Sequence, residues 1–480
     1  MNYKMIFGTL GKTLIALSIM MLLPAIVAVI YAEKSLWAIL ISAAISFLVG
    51  IALYSIFKTK NHVIYAKEGF AIVALVWIMF SLFGCLPFVL SGEIPSFVDD
   101  FFETVSGFTT TGASILTDVE EMSHGLLFWR TFTHWVGGMG VLVFVLAVIP
   151  NISDRSIHLL KAEVPGPTFG KIVPKLKESS KILYIIYFAL TVVEIIMLIA
   201  GGMPVFDSIL TSLGTAGTGG FGIKADSIGG YSAYSQWVIA IFMLIFGINF
   251  NLYYMILIRK IRDVFKSEEL WTYIGIVAAA TALIAINISN LYESFWETLR
   301  HSLFQVSSII TTTGYATQDF NLWPVFSKTI LFMLMFIGGC AGSTAGGFKV
   351  SRVVVLFKNI FREIRRLLHP RSVSTVKFEG KQMDEKTVSS VGTYLAIYIV
   401  CLAATFLLIS FEPFSLETNL STAVTCFNNV GPGLDATGPA SNFSCYSDFS
   451  TVVLSFSMLF GRLEIFPMLL LFSPKLWKKD

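Results

Sequence analysis

The stretch FFETVSGFTTTG, residues 101 to 112, returns later in the chain as LFQVSSIITTTG, residues 303 to 314. Phe102 matches Phe304, Ser106 matches Ser308, and the two TTTG runs coincide. Two looser relatives are TGGFG, from Thr218 to Gly222, and NVGPG, from Asn429 to Gly433. Aligning the central glycines places Gly112, Gly220, Gly314 and Gly431 at intervals of about 100 residues, near one per quarter of the chain, and repetition of that kind outweighs any single motif. A lone TTG is ordinary loop chemistry; four copies at matching positions predict a pore assembled from four units. The second and fourth copies have drifted, with Gly217, Thr218 and Gly219 before Gly220 and Asn428, Asn429 and Val430 before Gly431, so the pore is expected to be only pseudo-fourfold.

Composition fixes the solvent. With 55% hydrophobic residues, 14% charged residues and a mean hydropathy of +0.75, the 480-residue chain is no water-soluble globule but a polytopic membrane protein. Apolar stretches of roughly the 20 residues a crossing needs run near 13–31, 36–56, 70–90, 126–149, 181–200, 236–258, 271–288, 325–357, 389–410 and 449–472, which predicts ten spans. Lys4 and Lys12 precede the first as in a secretory signal, but no convincing small-residue cleavage site follows, so it is read as a retained helix.

Basic residues cluster in alternate loops: Lys58, Lys60 and Lys67; Lys171, Lys175, Lys177 and Lys181; Arg259, Lys260, Arg262 and Lys266; Arg362, Arg365, Arg366 and Arg371; and Lys475, Lys478 and Lys479. The intervening loops carry Glu93, Asp99, Asp100, Asp118, Glu120 and Glu121, or Glu412, Glu417, Asp435 and Asp448. The positive-inside rule then puts both termini in the cytoplasm.

Each glycine segment falls on the acidic, outer side between two consecutive spans and follows a short amphipathic stretch. Before Gly112, Val98, Phe101, Phe102 and Val105 line one face of a helix too short to cross, which must enter the bilayer and turn back. The unit therefore reads helix, half-helix, loop, helix, and two spans per unit keep all four copies parallel about one axis. Boundaries are expected at 1–60 for an extra N-terminal pair of spans, then 61–160, 161–266, 267–370 and 371–480 for the four units. Glycine permits the backbone angles that let successive carbonyls face that axis. Rings of carbonyls can replace the hydration shell of a monovalent cation, with half-helix C-termini adding negative dipole and acidic loops concentrating cations at the mouth.

With these residues in place the chain resembles the Trk/Ktr/HKT superfamily of potassium uptake proteins, most closely the TrkH type. The resemblance rests on the four glycine segments together with FWRTFTHWVGGMG at Phe128 to Gly140, INFNLYY at Ile248 to Tyr254, GGCAGSTAGGFK at Gly338 to Lys349 and FGRLEIFP at Phe460 to Pro467, and it covers nearly the whole chain. It implies an all-α polytopic membrane protein of four tandem M1–pore helix–M2 (KcsA-like) units, preceded by the two extra helices. The filter would be made of backbone carbonyls of Thr110, Thr111 and Gly112, Gly219 and Gly220, Thr312, Thr313 and Gly314, and Asn429, Val430 and Gly431, holding potassium. No covalent cofactor is expected.

The 325–357 segment is longer than one crossing and is interrupted by Gly338, Gly339, Gly342, Gly346 and Gly347. Its residues alone favour close helix packing through the GxxxG pair Gly342 and Gly346. The resemblance implies instead an intramembrane gating loop, 338–349, including Ser343. Arg462, the only basic residue in the last apolar segment, is costly at that depth unless it faces partners or water, and Glu464 lies on another helix face. The resemblance makes it a pore arginine below the filter. His134 and His301 read as hydrogen-bonded packing residues. Cys85, Cys340, Cys401, Cys426 and Cys445 show no pairing pattern and read as free thiols.

No phosphate-cradling GxxxxGK[ST] loop is present, so flow must follow an electrochemical gradient worth about 2.3 kcal/mol per charge per 100 mV. The resemblance implies gated potassium uptake across a bacterial inner membrane by a homodimer in lipid, seated on a cytosolic TrkA-type nucleotide-binding ring, with no nucleic acid partner. A proton- or sodium-coupled symporter on the same fold is the alternative. An intramembrane protease using Ser343 with a membrane histidine would leave the four outer loops unexplained.

Overall fold

The structure, a computed structural model, describes residues 1–59, 65–140, 176–371 and 374–477. Lys60, residues 141–149 of the expected fourth span, Lys171, Lys175, Lys478 and Lys479 lie outside them, as does the side chain of Lys177. Apart from one small antiparallel hairpin, Lys377–Phe378 with Lys381–Gln382, the described residues outside loops are helical.

The extra N-terminal pair is Tyr3–Met20 continued by Leu22–Ile30, and Ser35–Ile56. Each unit then opens with a long apolar helix: Ala66–Gly84 running on into Leu86–Ser91, then Leu176–Ala200, Glu268–Ile288 and Glu385–Ile409. Their outward side chains, among them Ile196, Ile286, Val400 and Leu407, are apolar and exposed, as a lipid-facing surface requires.

Second in each unit comes a pore helix: Phe97–Phe108, Val205–Gly217, Phe295–Ile310 and Leu416–Asn428. Their 12, 13, 16 and 13 residues reach only ~18–24 Å, short of a bilayer core of about 30 Å. Each carries an acid in its first turn, Asp99 and Asp100, Asp207, Glu297 or Glu417, where the positive end of the helix dipole stabilises it. Serine caps set several starts: Ser232, Ser267, Ser415 and Ser447 each accept the N–H of the residue three positions on.

Among the described residues no closing helix is one straight crossing; the third breaks at the glycines where the resemblance implied a loop, whereas the second and fourth break inside runs read as single spans. In the first unit His124–Gly138 stops at a glycine pair, and in the second Ala233–Phe246 and Phe250–Leu257 meet at 90° around Gly247 to Asn249. The third breaks between Val325–Ile337 and Val350–Leu368, and the fourth between Asp448–Arg462 and Phe466–Leu471, where Glu464 and Ile465 both have positive φ. By length and composition, six helices among the described residues can cross a membrane unaided, seven with the bent pair, because a hydropathy window cannot see a change of direction inside an apolar run.

Candidate functional site

All four pore helices end in the same hydrogen-bonded cap. The residue two before each central glycine lies in the left-handed region: Thr110 (φ 57°), Thr218 (55°), Thr312 (55°) and Asn429 (56°). Its N–H reaches back three residues, to the carbonyls of Gly107, Thr215, Ile309 and Cys426. The next N–H reaches back five, from Thr111 to Ser106, Gly219 to Gly214, Thr313 to Ser308 and Val430 to Thr425, at 2.8 to 2.9 Å. That pair of bonds is the Schellman cap, which turns a helix out of its axis through one left-handed residue. The central glycine is left-handed again, with φ of 79°, 70°, 90° and 108° at Gly112, Gly220, Gly314 and Gly431. Left-handed residues at alternate positions swing the chain out of helical and strand geometry alike, a shape suited to presenting consecutive carbonyls to one side.

The four caps meet in a closed ring. A Cβ built on Gly112 would lie 2.0 Å from the carbonyl oxygen of Gly219, one on Gly220 1.9 Å from that of Thr313, one on Gly314 2.5 Å from that of Val430, and one on Gly431 2.8 Å from that of Thr111. Each unit thus abuts the next in chain order and the fourth returns to the first. Bonds farther out close the same circle. Arg130 donates to the Gly222 carbonyl, Ile228 N–H to Ala316, Asp435 N–H to the Asn321 side chain, and Phe443 N–H to Ser114. Thr109 to Thr111, Thr218, Thr311 to Thr313, Asn429 and Val430 are all fully buried.

Behind the ring the support differs between units. Thr109 and Thr111 share a hydroxyl bond of 2.8 Å, as do Thr311 and Thr313 at 2.7 Å. Asn429 takes another route, donating to Thr111 Oγ1 and the Met458 carbonyl. Within the first unit a buried ion pair, Arg130 Nε to Glu103 Oε1 at 2.5 Å, braces the segment after the first glycine, since Glu103 also accepts from Ser114 and the Ile115 N–H. Removing one partner of such a pair costs ~3–5 kcal/mol. His134 donates through Nδ1 to the Gly107 carbonyl and accepts the Phe221 N–H at Nε2, and His301 Nδ1 bonds Thr317. At the outer rim of the fourth unit, hydroxyls of Ser447 and Ser450 hold the Glu412 carboxyl below its ordinary range, and those of Ser415 and Thr418 do the same for Asp435.

Residues 338–349 lie directly beneath. Val325–Ile337 ends at Gly338 (φ 77°), and Gly342 and Gly347 are also left-handed, so Gly342 and Gly346 form no helix-packing face and the GxxxG reading fails. The loop hangs from its neighbours by backbone. Cys340 N–H donates to the Gly247 carbonyl, the Gly342 carbonyl accepts from Phe250 N–H, and Gly346 N–H donates to Thr312 Oγ1 of the ring at 2.6 Å. A Cβ on Gly346 would lie 2.6 Å from the Asn428 carbonyl and one on Gly339 3.0 Å from that of Gly247. Ser343 Oγ donates to the Cys340 carbonyl at 2.7 Å, and His134 and His301 bond elsewhere, so among the described residues neither histidine activates that serine.

Arg462, at the break of the fourth unit, donates to the Thr344 carbonyl of the loop at 2.9 Å and to the Gly137 and Gly138 carbonyls of the first unit at 2.6 and 2.7 Å. Glu464 pairs with Arg352 of the third unit instead. Buried Lys349 donates back to the Ala345 carbonyl. The structure therefore places the expected filter residues and the expected gate residues in two adjacent layers. It adds four that the expected site left out: Thr218, whose threonine at the position matching Thr110 and Thr312 was the available signal, Lys349 and Arg352, whose place inside the apolar 325–357 run was theirs, and Glu269, whose position carried none.

The chain matches the TrkH family, described as cation transport protein, over residues 35–274 and 292–479. It is similar to the Trk system potassium uptake protein TrkH of Salmonella typhimurium (strain LT2), with 35% identity over 486 residues and all of both chains. The protein of that name from Escherichia coli (strain K12) is 34% identical over the same extent. Among solved structures, the crystal structure of the potassium transporter TrkH from Vibrio parahaemolyticus superimposes with a TM-score of 0.89 at 31% identity, covering 100% of both chains.

Proposed function

This chain belongs to the TrkH family of cation transport proteins, and from that premise we propose that it takes up potassium through a selective, gated pore on the axis of the four-segment ring. The observation that carries the reading is the cyclic closure: four left-handed glycines, each pressed against the backbone carbonyl of the next unit. Carbonyls of Thr110, Thr111 and Gly112, Gly219 and Gly220, Thr312, Thr313 and Gly314, and Asn429, Val430 and Gly431 replace the water shell of a dehydrated potassium ion, and Thr218 supplies the position missing from the second set. Negative pore-helix ends and the acids at their starts favour cations over anions.

Below the filter, loop 338–349 and Arg462 form the barrier. Arg462 places positive charge beneath the ring and ties the loop to the first unit, so an ion passes only when these bonds part and the loop moves aside. Uptake runs down the electrochemical gradient across the bacterial inner membrane, with both termini in the cytoplasm. Nucleotide binding on a cytosolic TrkA-type ring, beneath a homodimer of this chain, sets the loop.

Rubidium uptake into liposomes holding the purified protein, at a set membrane potential, tests this reading. Competition by potassium but barely by sodium is expected. Equal competition by sodium contradicts the selective filter, and no uptake even with the regulatory ring added contradicts the pore.

A further inference from the structure

The sharpest unexplained arrangement is a buried carboxylate on the opening helix of the third unit that holds both ends of that unit's own loop. Glu269 is the second residue of Glu268–Ile288 and is 5% exposed. Its Oε1 accepts the Ala341 N–H at 2.7 Å and the Ser351 N–H at 3.1 Å. Ala341 belongs to the first half of the loop, and Ser351 to the first turn of Val350–Leu368, the helix that leaves it. One oxygen therefore clamps the loop at entry and exit, and also supplies an acceptor to the start of that helix, whose first N–H groups have no partners within the helix itself. Lys349, between the clamped residues, lies within electrostatic reach of Glu269.

Glu269 is itself positioned from the cytoplasmic side. The hairpin turns at Glu379 and Gly380, both left-handed, with φ of 50° and 71°, the pattern of a tight two-residue turn. This turn aims the Glu379 carboxylate at the start of the Glu268–Ile288 helix. Glu379 Oε1 accepts from the Ser267 hydroxyl at 2.9 Å and the Glu269 N–H at 3.1 Å, and Oε2 accepts from the Glu268 N–H at 3.2 Å. Lys358, two turns into Val350–Leu368, bonds the Lys377 carbonyl of the hairpin and pairs with Glu268. Phe378 and Val376 anchor the hairpin in the core, whereas Gly380, Lys381 and Gln382 are exposed. Hairpin, helix start and loop thus form one continuous run of hydrogen bonds.

We propose that Glu269 is the latch that keeps loop 338–349 under the filter, and that the 377–382 hairpin, through Glu379, is the lever by which a cytoplasmic partner releases it. The proposal rests on the reading of the loop as gate. It assigns Glu269 a positioning role, acting on the ion path through the loop alone, and it makes the exposed hairpin tip the place where a push or pull changes the latch.

Fully buried Cys340, next to Ala341, reports the loop's state. In protein whose other four cysteines are replaced by Ala, the modification rate of Cys340 by a small charged thiol reagent is measured beside rubidium flux in liposomes. Glu269→Ala is expected to raise both by about tenfold, and Glu269→Gln, which keeps an acceptor of the same shape, by less. Glu379→Ala is expected to raise both with Glu269 intact, and the double variant to add nothing beyond Glu269→Ala, as two links of one chain require. Unchanged Cys340 reactivity in Glu269→Ala, or additive effects of Glu269 and Glu379, overturns the latch. Should Glu269→Ala not fold, the same two readouts on Glu269→Gln and Glu379→Ala decide. Faster Cys340 modification without greater flux sinks the gate reading instead, so the two failures are distinguishable.

Discussion

The ring of four glycine segments and the layer beneath it are built from the same four units, yet they differ in kind. In the ring, one backbone is repeated down to its bonds: left-handed residues at equivalent positions, N–H groups reaching back three and five residues, and a glycine against the next unit's carbonyl. Beneath it, no two units break alike. Among the described residues the first helix ends at Gly138, the second turns by 90°, the third unrolls into a loop, and the fourth breaks at two residues of positive φ, Glu464 and Ile465. Recognition of a spherical ion asks for the same oxygen from every side, so repetition suits the ring. In the function proposed here that layer is a barrier that opens, which needs one movable part and fixed neighbours to hold it, and divergence of the units there suits such a part.

Damage to the ring should change which ion passes, and damage to the layer below should change how much passes. The largest effects belong to the ring glycines. Alanine at each adds a Cβ at a positive φ and against a neighbouring carbonyl, and the crowding ranks them: Gly220 at 1.9 Å, Gly112 at 2.0 Å, Gly314 at 2.5 Å and Gly431 at 2.8 Å. Potassium-over-sodium permeability ratios from reversal potentials should fall most for Gly220→Ala and Gly112→Ala and least for Gly431→Ala. Gly314→Ser should fall between them, and a variant at full ratio removes that glycine from the filter. Next comes Arg462→Ala, which frees the loop from the first unit and withdraws positive charge from the path. Rubidium flux should rise about tenfold with the permeability ratio unchanged. A lower ratio would erase the division of labour between the layers.

Thr312 belongs to both layers, being left-handed in the ring while accepting the Gly346 N–H of the loop. Thr312→Val keeps its shape and removes the acceptor, a change of about 1 kcal/mol. Flux should rise a fewfold, less than for Arg462→Ala, in the same assay. The smallest effect lies at the outer rim. Glu412, held below its usual 4.5 by the Ser447 and Ser450 hydroxyls, stabilises the fold fully above that value, and the gain is lost as pH falls through its depressed folded value. Melting temperatures in detergent should decline slightly more steeply below pH 4.5 for the parent chain than for Glu412→Gln. Identical slopes would remove Glu412 from the rim's support.

How far the sequence foretold this divides along the same line. The ring was legible because a shared backbone shape demands shared residues, which is why TTTG recurs at Gly112 and Gly314. Thr218 was missed because TGGFG offers two adjacent glycines, and the eye takes the permissive residue for the strained one, whereas the first left-handed position is the threonine. The breaks at Gly247 to Asn249 and at Glu464 and Ile465 were hidden inside runs of apolar residues whose composition is the same whether the chain goes straight or turns. Glu269 gave no signal because an acid at a helix start is ordinary, and its partners Ala341 and Ser351 act through backbone N–H groups that no sequence pattern marks.

Anomalous diffraction from crystals of this protein soaked in rubidium tests the central claim most directly. The account predicts a rubidium peak on the axis, ringed by the carbonyls of Thr111, Gly219, Thr313 and Val430, and none between loop 338–349 and Arg462. Rubidium bound elsewhere, with the ring axis empty, would contradict it.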